Sequence, residues 1–414
     1  MSHIKAEIIT IGNEILAGWT LNTNGHWIAQ KCNDIGLTVQ WMTTIADVDE
    51  EIRTALKNAS SRANVILCTG GLGPTPDDIT KKTIASYFET ELVMDEDILN
   101  HVRNLFKGRN MKMPDINKYQ ALIPKNAKIV PNSLGTAPGL QFERDKQLFF
   151  FMPGVPREMM GMIESSILSR IKSYFQLPDF KTHLLRTTGI AESRLFEKLE
   201  NLLESYQDLS VSFLPKITGV DIKFRIDNKS TDMQERSQEF VSKIKASTGK
   251  YIYSEEDKDL KEIIGELLKK NNLSVAVAES FTGGLISDWI TDVPGSSDYF
   301  LGSIICYHNQ SKIRDIGVSE KTINEFGAVS EQTALEMAAG IKKLFGSDCA
   351  IASTGIAGPG GATETKPVGL CFISAIYKQK TFVKEFNFGQ NRRINKERGS
   401  MAALESLRRL LLNI

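Results

Sequence analysis

The stretch Leu273-Ser274-Val275-Ala276-Val277-Ala278-Glu279-Ser280-Phe281-Thr282-Gly283-Gly284-Leu285 runs from apolar residues into paired glycines and then into an amphipathic pattern that continues to Val293. A short apolar run closed by glycine reads as a buried strand, and the spacing that follows reads as a helix. The hydroxyl of Ser280 therefore sits on a strand-to-helix turn, where a side chain projects toward solvent. Gly283 and Gly284 let a substrate approach backbone N–H groups at a helix N-terminus, whose dipole favours developing negative charge. Ser280 is the candidate nucleophile, with the N–H groups of Thr282, Gly283 and Gly284 as candidate oxyanion donors.

The same alternation recurs at the other end of the chain. Apolar strands over Glu7 to Ile11, Val39 to Ile45 and Val65 to Cys68 are separated by helical patterns over Asn24 to Asn33 and Glu50 to Ser61. This β-α-β-α-β order predicts parallel pairing through right-handed crossovers, with helices on both faces of the sheet. A helix over Ile79 to Phe88, another after the acidic stretch Asp95 to Asp97, and paired strands around Leu140 to Phe142 and Leu148 to Met152 complete a first domain over 1–173. A strand (His183 to Thr187), a helix (Glu192 to Leu203), two strands and a helix (Met233 to Ala246) form a compact α+β module over 180–253. The charged run Glu255 to Asp259 reads as a solvated linker or helix start. A second α/β domain over 258–414 ends in a helical pattern from Ile394 to Leu412.

With 414 residues the chain is long enough for two or three domains of ordinary size. Lys+Arg and Asp+Glu number 50 each, so net charge gives no footprint for nucleic acid or an anionic membrane. Five scattered cysteines without a C-x-x-C pair disfavour both a disulfide framework and a zinc site and fit a reducing cytoplasm. No signal-peptide pattern and no apolar run of bilayer length is present, so a soluble cytoplasmic protein is expected.

A serine nucleophile needs a base. His308 is the sole histidine of the C-terminal domain, whereas Lys312 follows the strand Ser303 to Cys306 and Tyr307 at a short interval. A lysine serves when burial or a neighbouring cation leaves its amine neutral; the alternative is a lysine on a helix surface. A second glycine-rich turn, Thr354-Gly355-Ile356-Ala357-Gly358-Pro359-Gly360-Gly361, follows the strand Ala350 to Ala352 and suits either a phosphate or carboxamide oxygen or a tight structural turn. Arg392 is placed to clamp a phosphate, to keep a nearby Lys312 deprotonated by repulsion, or to sit solvated in a loop. In the first domain, Ile11-Gly12-Asn13-Glu14 with Asn22 and Asn24 follows one strand, and Thr69-Gly70-Gly71-Leu72-Gly73-Pro74-Thr75-Pro76-Asp77-Asp78 follows another. The glycine turn can hold phosphate and the paired acids a hard divalent cation, although one acid equally suits a helix cap.

Ala278 to Gly284, Asp292 to Ser297, Tyr307 with Lys312, Gly327 to Ser330, Thr354 to Gly361 and Lys366 to Gly369 together resemble the nicotinamide mononucleotide deamidase domain. The first 170 or so residues, with Phe151 to Met159, are similar to a molybdopterin-binding-like domain, and the whole chain resembles the CinA family. The resemblance implies two three-layer α/β domains joined by a small KH-like α+β module. It implies hydrolysis of nicotinamide mononucleotide to the nicotinate form and ammonia without a cofactor, with Ser280 as nucleophile, Lys312 as base, Tyr307 and Thr354 in the site, and Arg392 in support; Gly355 joins Thr282, Gly283 and Gly284 as oxyanion or phosphate donors. For the first domain it implies a nucleotide site at Glu14, Asn24, Gly70, Gly71, Asp77 and Asp78, the two aspartates holding Mg or Co, since some members hydrolyse ADP-ribose there. That metal-dependent pyrophosphatase is the alternative main activity, and a non-catalytic binding protein is another. Asn13 stands where the family often has an acid, and Phe281 where a smaller residue is common. The module lacks the G-x-x-G loop with which KH domains clamp RNA, so small nucleotides rather than nucleic acid are the expected partners. The resemblance also implies a homodimer.

Overall fold

A computed structural model describes residues 4–73, 79–227 and 231–414. The chain forms two compact units, Met1–Lys181 and Thr182–Ile226 with Asp232–Ile414.

In the first unit, β1 (Lys5–Ile11), β2 (Thr38–Ile45), β3 (Val65–Thr69), β6 (Lys128–Val130), β7 (Gly139–Arg144) and β8 (Gln147–Met152) form one sheet, while β4 (Leu92–Met94) and β5 (Leu122–Pro124) pair separately. The strand order is β2-β1-β3-β8-β7-β6, with β2, β1, β3 and β8 parallel and β7 and β6 antiparallel. The β7–β8 hairpin turns on Asp145 and Lys146, both at positive φ (52° and 62°), the backbone of a two-residue turn that matches strand twist. Period-two alternation feeds two cores, one per face. Ile9, Ile66, Phe149 and Phe151 enter the first, and Ile8, Leu67 and Phe150 the second. This is why those strands read as continuous apolar runs.

The second unit holds two sheets. β9 (Phe180–Thr188), β10 (Val211–Lys216), β11 (Gly219–Asp227) and β12 (Ile252–Ser254) lie in the order β10-β11-β9-β12. Helices Glu192–Ser205 and Thr231–Thr248 cover them through Leu195, Leu199, Phe240 and Ile244. The charged run before the last domain is largely exposed and, as one of the two sequence readings had it, starts a helix. Asp259 forms a capping box on the helix Leu260–Lys270, and Arg186 of β9 reaches it at 2.8 Å.

The last sheet contains β13 (Val275–Glu279), β14 (Phe300–Ile305), β15 (Cys349–Gly355), β16 (Leu370–Tyr377) and β17 (Lys380–Asn387), ordered β14-β13-β15-β16-β17. β13 is parallel to β14 and β15, and β16 and β17 are antiparallel. From β13 the chain crosses to one side, makes β14, and returns to the other side as β15. That reversal leaves a crevice beyond the carboxyl ends of β13 and β15, the place where open α/β sheets bind ligands. β1, β2 and β3 repeat the topology in the first unit. Among the described residues no helix is long and apolar enough to cross a membrane, and all five cysteines are buried free thiols.

Candidate active site

Ser280 is the first residue beyond β13, Tyr307 follows β14, and Thr354 and Gly355 end β15. The crevice beyond these strands holds a cavity of about 240 Å³ lined by Ser280, Phe281, Tyr307, Arg392 and the glycine-rich turn from Gly355 to Gly361. Ser280 is 8 % exposed, its N–H is tied to the Ser353 carbonyl, and among the described residues its hydroxyl has no hydrogen-bond partner. Tyr307 is 62 % exposed at the rim. The Arg392 guanidinium donates to the Tyr307 hydroxyl (2.7 Å) and to the Gly358 carbonyl (2.6 Å), which places a fixed cation across the cavity from the hydroxyl of Ser280.

Lys312 is not a surface lysine. It lies on the helix Asn309–Ile316 with 2 % of its area exposed, and its amine donates to the carbonyls of Cys306 (2.9 Å) and Tyr307 (3.3 Å). Glu279 and Ile305 are the last paired residues of β13 and β14, so Ser280 and Cys306, whose carbonyl holds the amine, are each the first residue beyond neighbouring parallel strands. Burial holds the Lys312 pKa below the ordinary lysine value, opposed by Cys306. The Cys306 thiol, itself pushed up to about 11 by burial, offers no thiolate near neutral pH to retain the proton. Repulsion from Arg392, one expectation from the sequence, is not among the causes. The two carbonyls engage two of the amine's N–H bonds, as many as a neutral amine has. No hydrogen bond joins it to Ser280 in this structure.

Two expectations are corrected. The helix Leu285–Thr291 does not keep its first N–H groups for an oxyanion. The Glu279 carboxylate, wholly buried, accepts from the N–H groups of Gly284 (2.8 Å), Ile286 (3.1 Å) and Ser287 (2.9 Å) and from the hydroxyls of Thr282 and Ser287. Gly284 is thus spent on Glu279, although its φ of +96° still requires glycine at the turn. The N–H groups of Thr282 and Gly283 have no protein acceptor among the described residues, but neither residue lines the cavity and Thr282 is wholly buried. Thr354 is also buried, donates to the Ala328 carbonyl (2.6 Å), and does not line the cavity; it positions the turn.

Glu279 gave no sequence signal of its role, since a glutamate ending a strand resembles a solvated residue. Asn395 was equally silent. It is buried on the helix Arg392–Leu412, and its amide donates to the carbonyls of Ala357 (3.0 Å) and Gly389 (2.8 Å), pinning the glycine-rich turn to the segment that carries Arg392. The Phe281 ring does not merely face away. It is packed into the core so tightly that a Cβ on Gly355 or Gly399 would come within 2.6 Å of it. Replacing Glu279 with alanine should strand five donors and destabilise the C-terminal domain by at least about 3 kcal/mol. Differential scanning calorimetry checks this, and an unchanged transition would remove the anchor role.

In the first unit the matching crevice gathers β1, β3 and β8. Asn24 donates to Thr69 Oγ1 (3.2 Å) and the Gly154 carbonyl (2.8 Å), and its own Oδ1 is buried with no partner among the described residues. Gly70 has φ +110°, and a Cβ there would stand 2.0 Å from the Ile11 carbonyl oxygen, so only glycine fits; Gly71 adjoins Thr80. Glu14 is exposed, and Asn13 Oδ1 accepts the Asp47 N–H at 3.3 Å. Asp77 and Asp78, the expected metal ligands, lie outside the described residues.

Three families match in succession: a probable molybdopterin binding domain over residues 7–173, the KH domain of damage-inducible protein CinA over 182–254, and the CinA C-terminal domain over 257–411. A putative competence-damage inducible protein of Caldicellulosiruptor saccharolyticus is 39 % identical across 99 % of this chain and 100 % of its own length. The chain belongs to the CinA family. A CinA-like protein of Cytophaga hutchinsonii is 37 % identical over 100 % of the chain and 99 % of its own. Among solved structures, the competence/damage inducible protein CihA of Agrobacterium tumefaciens is 37 % identical, covering 37 % of this chain and 94 % of that one with a TM-score of 0.36. A CinA protein of Thermoplasma acidophilum is 31 % identical, covering 42 % and 99 %, with a TM-score of 0.37.

Proposed function

We propose that the C-terminal domain hydrolyses the carboxamide of nicotinamide mononucleotide, with Ser280 as nucleophile and neutral Lys312 as general base. The carrying observation is the buried Lys312 amine, its pKa lowered, held on the Cys306 and Tyr307 carbonyls just beyond β14, the strand beside the one whose end carries the unpartnered Ser280 hydroxyl. Lys312 takes the Ser280 proton as the Oγ–C bond forms, and backbone N–H groups at the cavity receive the oxyanion. Collapse breaks the C–N bond while Lys312 returns the proton to the departing nitrogen, releasing ammonia. Water then attacks the acyl-serine with Lys312 again as base, giving the nicotinate carboxylate and restoring Ser280. Arg392, held by Tyr307 and Gly358, supplies the charge that orients the substrate phosphate.

The test is ammonia release from nicotinamide mononucleotide by the full chain after exhaustive chelation. Chelator-resistant turnover is expected, because the Ser-Lys chemistry draws on protein groups alone. Absence of turnover, or turnover restored only by added metal, would overturn this reading. A second reading is favoured by one observation in the first unit: the buried Asn24 Oδ1, without a partner among the described residues on a side chain held by Thr69 and Gly154, supports a nucleotide site there, in addition to the deamidase.

A further inference from the structure

The second unit holds a cavity larger than the one beside Ser280. About 590 Å³ lie between the small module and the last domain, within the range of small-ligand sites. One wall is the β17 face that carries Phe382, Lys384 and Phe386 at alternate positions, continued by Phe388. The Phe386 and Phe388 rings are stacked, 5.5 Å apart with planes 19° off parallel, and the Lys384 ammonium stands 5.2 Å from the Phe386 ring. The opposite wall is the β10–β11 turn around Ile217, and the helix Arg392–Leu412 closes a third side.

The charges around this space are unequally satisfied. Lys216 is paired with Asp221, and Glu405 is spent on Arg408 and Arg409. Arg398 donates only to the carbonyls of Ile217 (3.2 Å) and Phe388 (3.3 Å), and Lys384 has no ion pair among the described residues. Two cations without a carboxylate thus flank an aromatic platform, opposed by the single exposed acid Glu192. Aromatic faces take planar rings by stacking, and a guanidinium fork with a nearby ammonium takes a phosphate. We propose that this junction is a second small-molecule site, for a ligand that joins a planar ring to a phosphate: a mononucleotide bound on Phe386 and Phe388 with its phosphate between Lys384 and Arg398. The site is independent of the deamidase reading, since none of its residues lies in the Ser280 cavity.

The experiment is isothermal titration of the full chain with AMP, with adenosine and inorganic phosphate as separate probes, repeated on Lys384→Ala and on Lys384→Ala combined with Arg398→Met. Both side chains are exposed, so the variants should keep the parent melting temperature, and Ser280→Ala should leave the binding isotherm intact. One class of AMP site should weaken at least tenfold in the single variant and vanish from the stoichiometry in the double, with adenosine and phosphate each binding more weakly than AMP. An isotherm unchanged by the double substitution, no AMP binding, or phosphate alone binding as tightly as AMP would each overturn the proposal.

Discussion

Ser280→Ala is expected to lower deamidation of nicotinamide mononucleotide by about a thousandfold or more while leaving the melting temperature near that of the parent. Removing the nucleophile of a covalent mechanism leaves only the catalysis supplied by binding and by the oxyanion donors. Folding should tolerate the change because the Ser280 hydroxyl has no hydrogen-bond partner among the described residues, and its backbone bond to Ser353 survives. The discriminating readout is a rapid-quench burst: wild type should show stoichiometric ammonia release ahead of nicotinate mononucleotide if deacylation limits turnover, and mass spectrometry should trap the acyl group on Ser280. Near-parent activity in the alanine variant would sink the covalent mechanism outright.

Lys312 carries the second large effect. Lys312→Met should cost roughly a thousandfold in kcat, the scale of a general base, and Lys312→Arg should be equally inactive, since a guanidinium keeps the charge but cannot give up its proton. For wild type, kcat/KM should rise with pH as the free amine forms and level off below the ordinary lysine pKa of about 10.4, because burial has lowered the group. The same shift has a stability consequence. The folded chain releases this proton at a lower pH than the unfolded chain does, so between the two pKa values the unfolded state holds more protons and stability rises with pH. The contribution is complete above the unfolded-state value and lost as pH falls through the folded-state value. Denaturant titrations across that alkaline window should show the slope in wild type and a flatter one in Lys312→Met. A pH–rate profile unchanged in the arginine variant would exclude Lys312 as base.

The strand-turn-helix units at both ends of the chain were legible because runs such as Val275 to Ala278 and Val65 to Cys68 are buried on both faces and closed by glycine, leaving few other structures open to them. The small module followed from the order of its patterns. The place of Ser280 could be read because an apolar run closed by paired glycines puts the residue between them at the strand end. Lys312 could not be decided by spacing, since a lysine on a helix has the same sequence appearance buried or exposed; only the packing of its stem under Cys306 and Tyr307 separates the two. The fate of the Gly284 N–H was hidden for a related reason. Glu279 acts through a fold-back over the next eight residues, and polarity patterns treat a terminal glutamate as a solvated end. Asn395 lies far along the chain from the turn it pins, so no local pattern reveals it.

The carboxylate of Glu279 also bears on how the reaction ends. A helix N-terminus ordinarily attracts anions, and on the proposed reaction the product is an anion formed close to this one. Because the Glu279 carboxylate already accepts from three N–H groups and two hydroxyls of that turn, those donors are not offered to a product carboxylate. On the proposed deamidase reaction the turn therefore gives a newly formed carboxylate less hold than a bare helix N-terminus would, which favours its release.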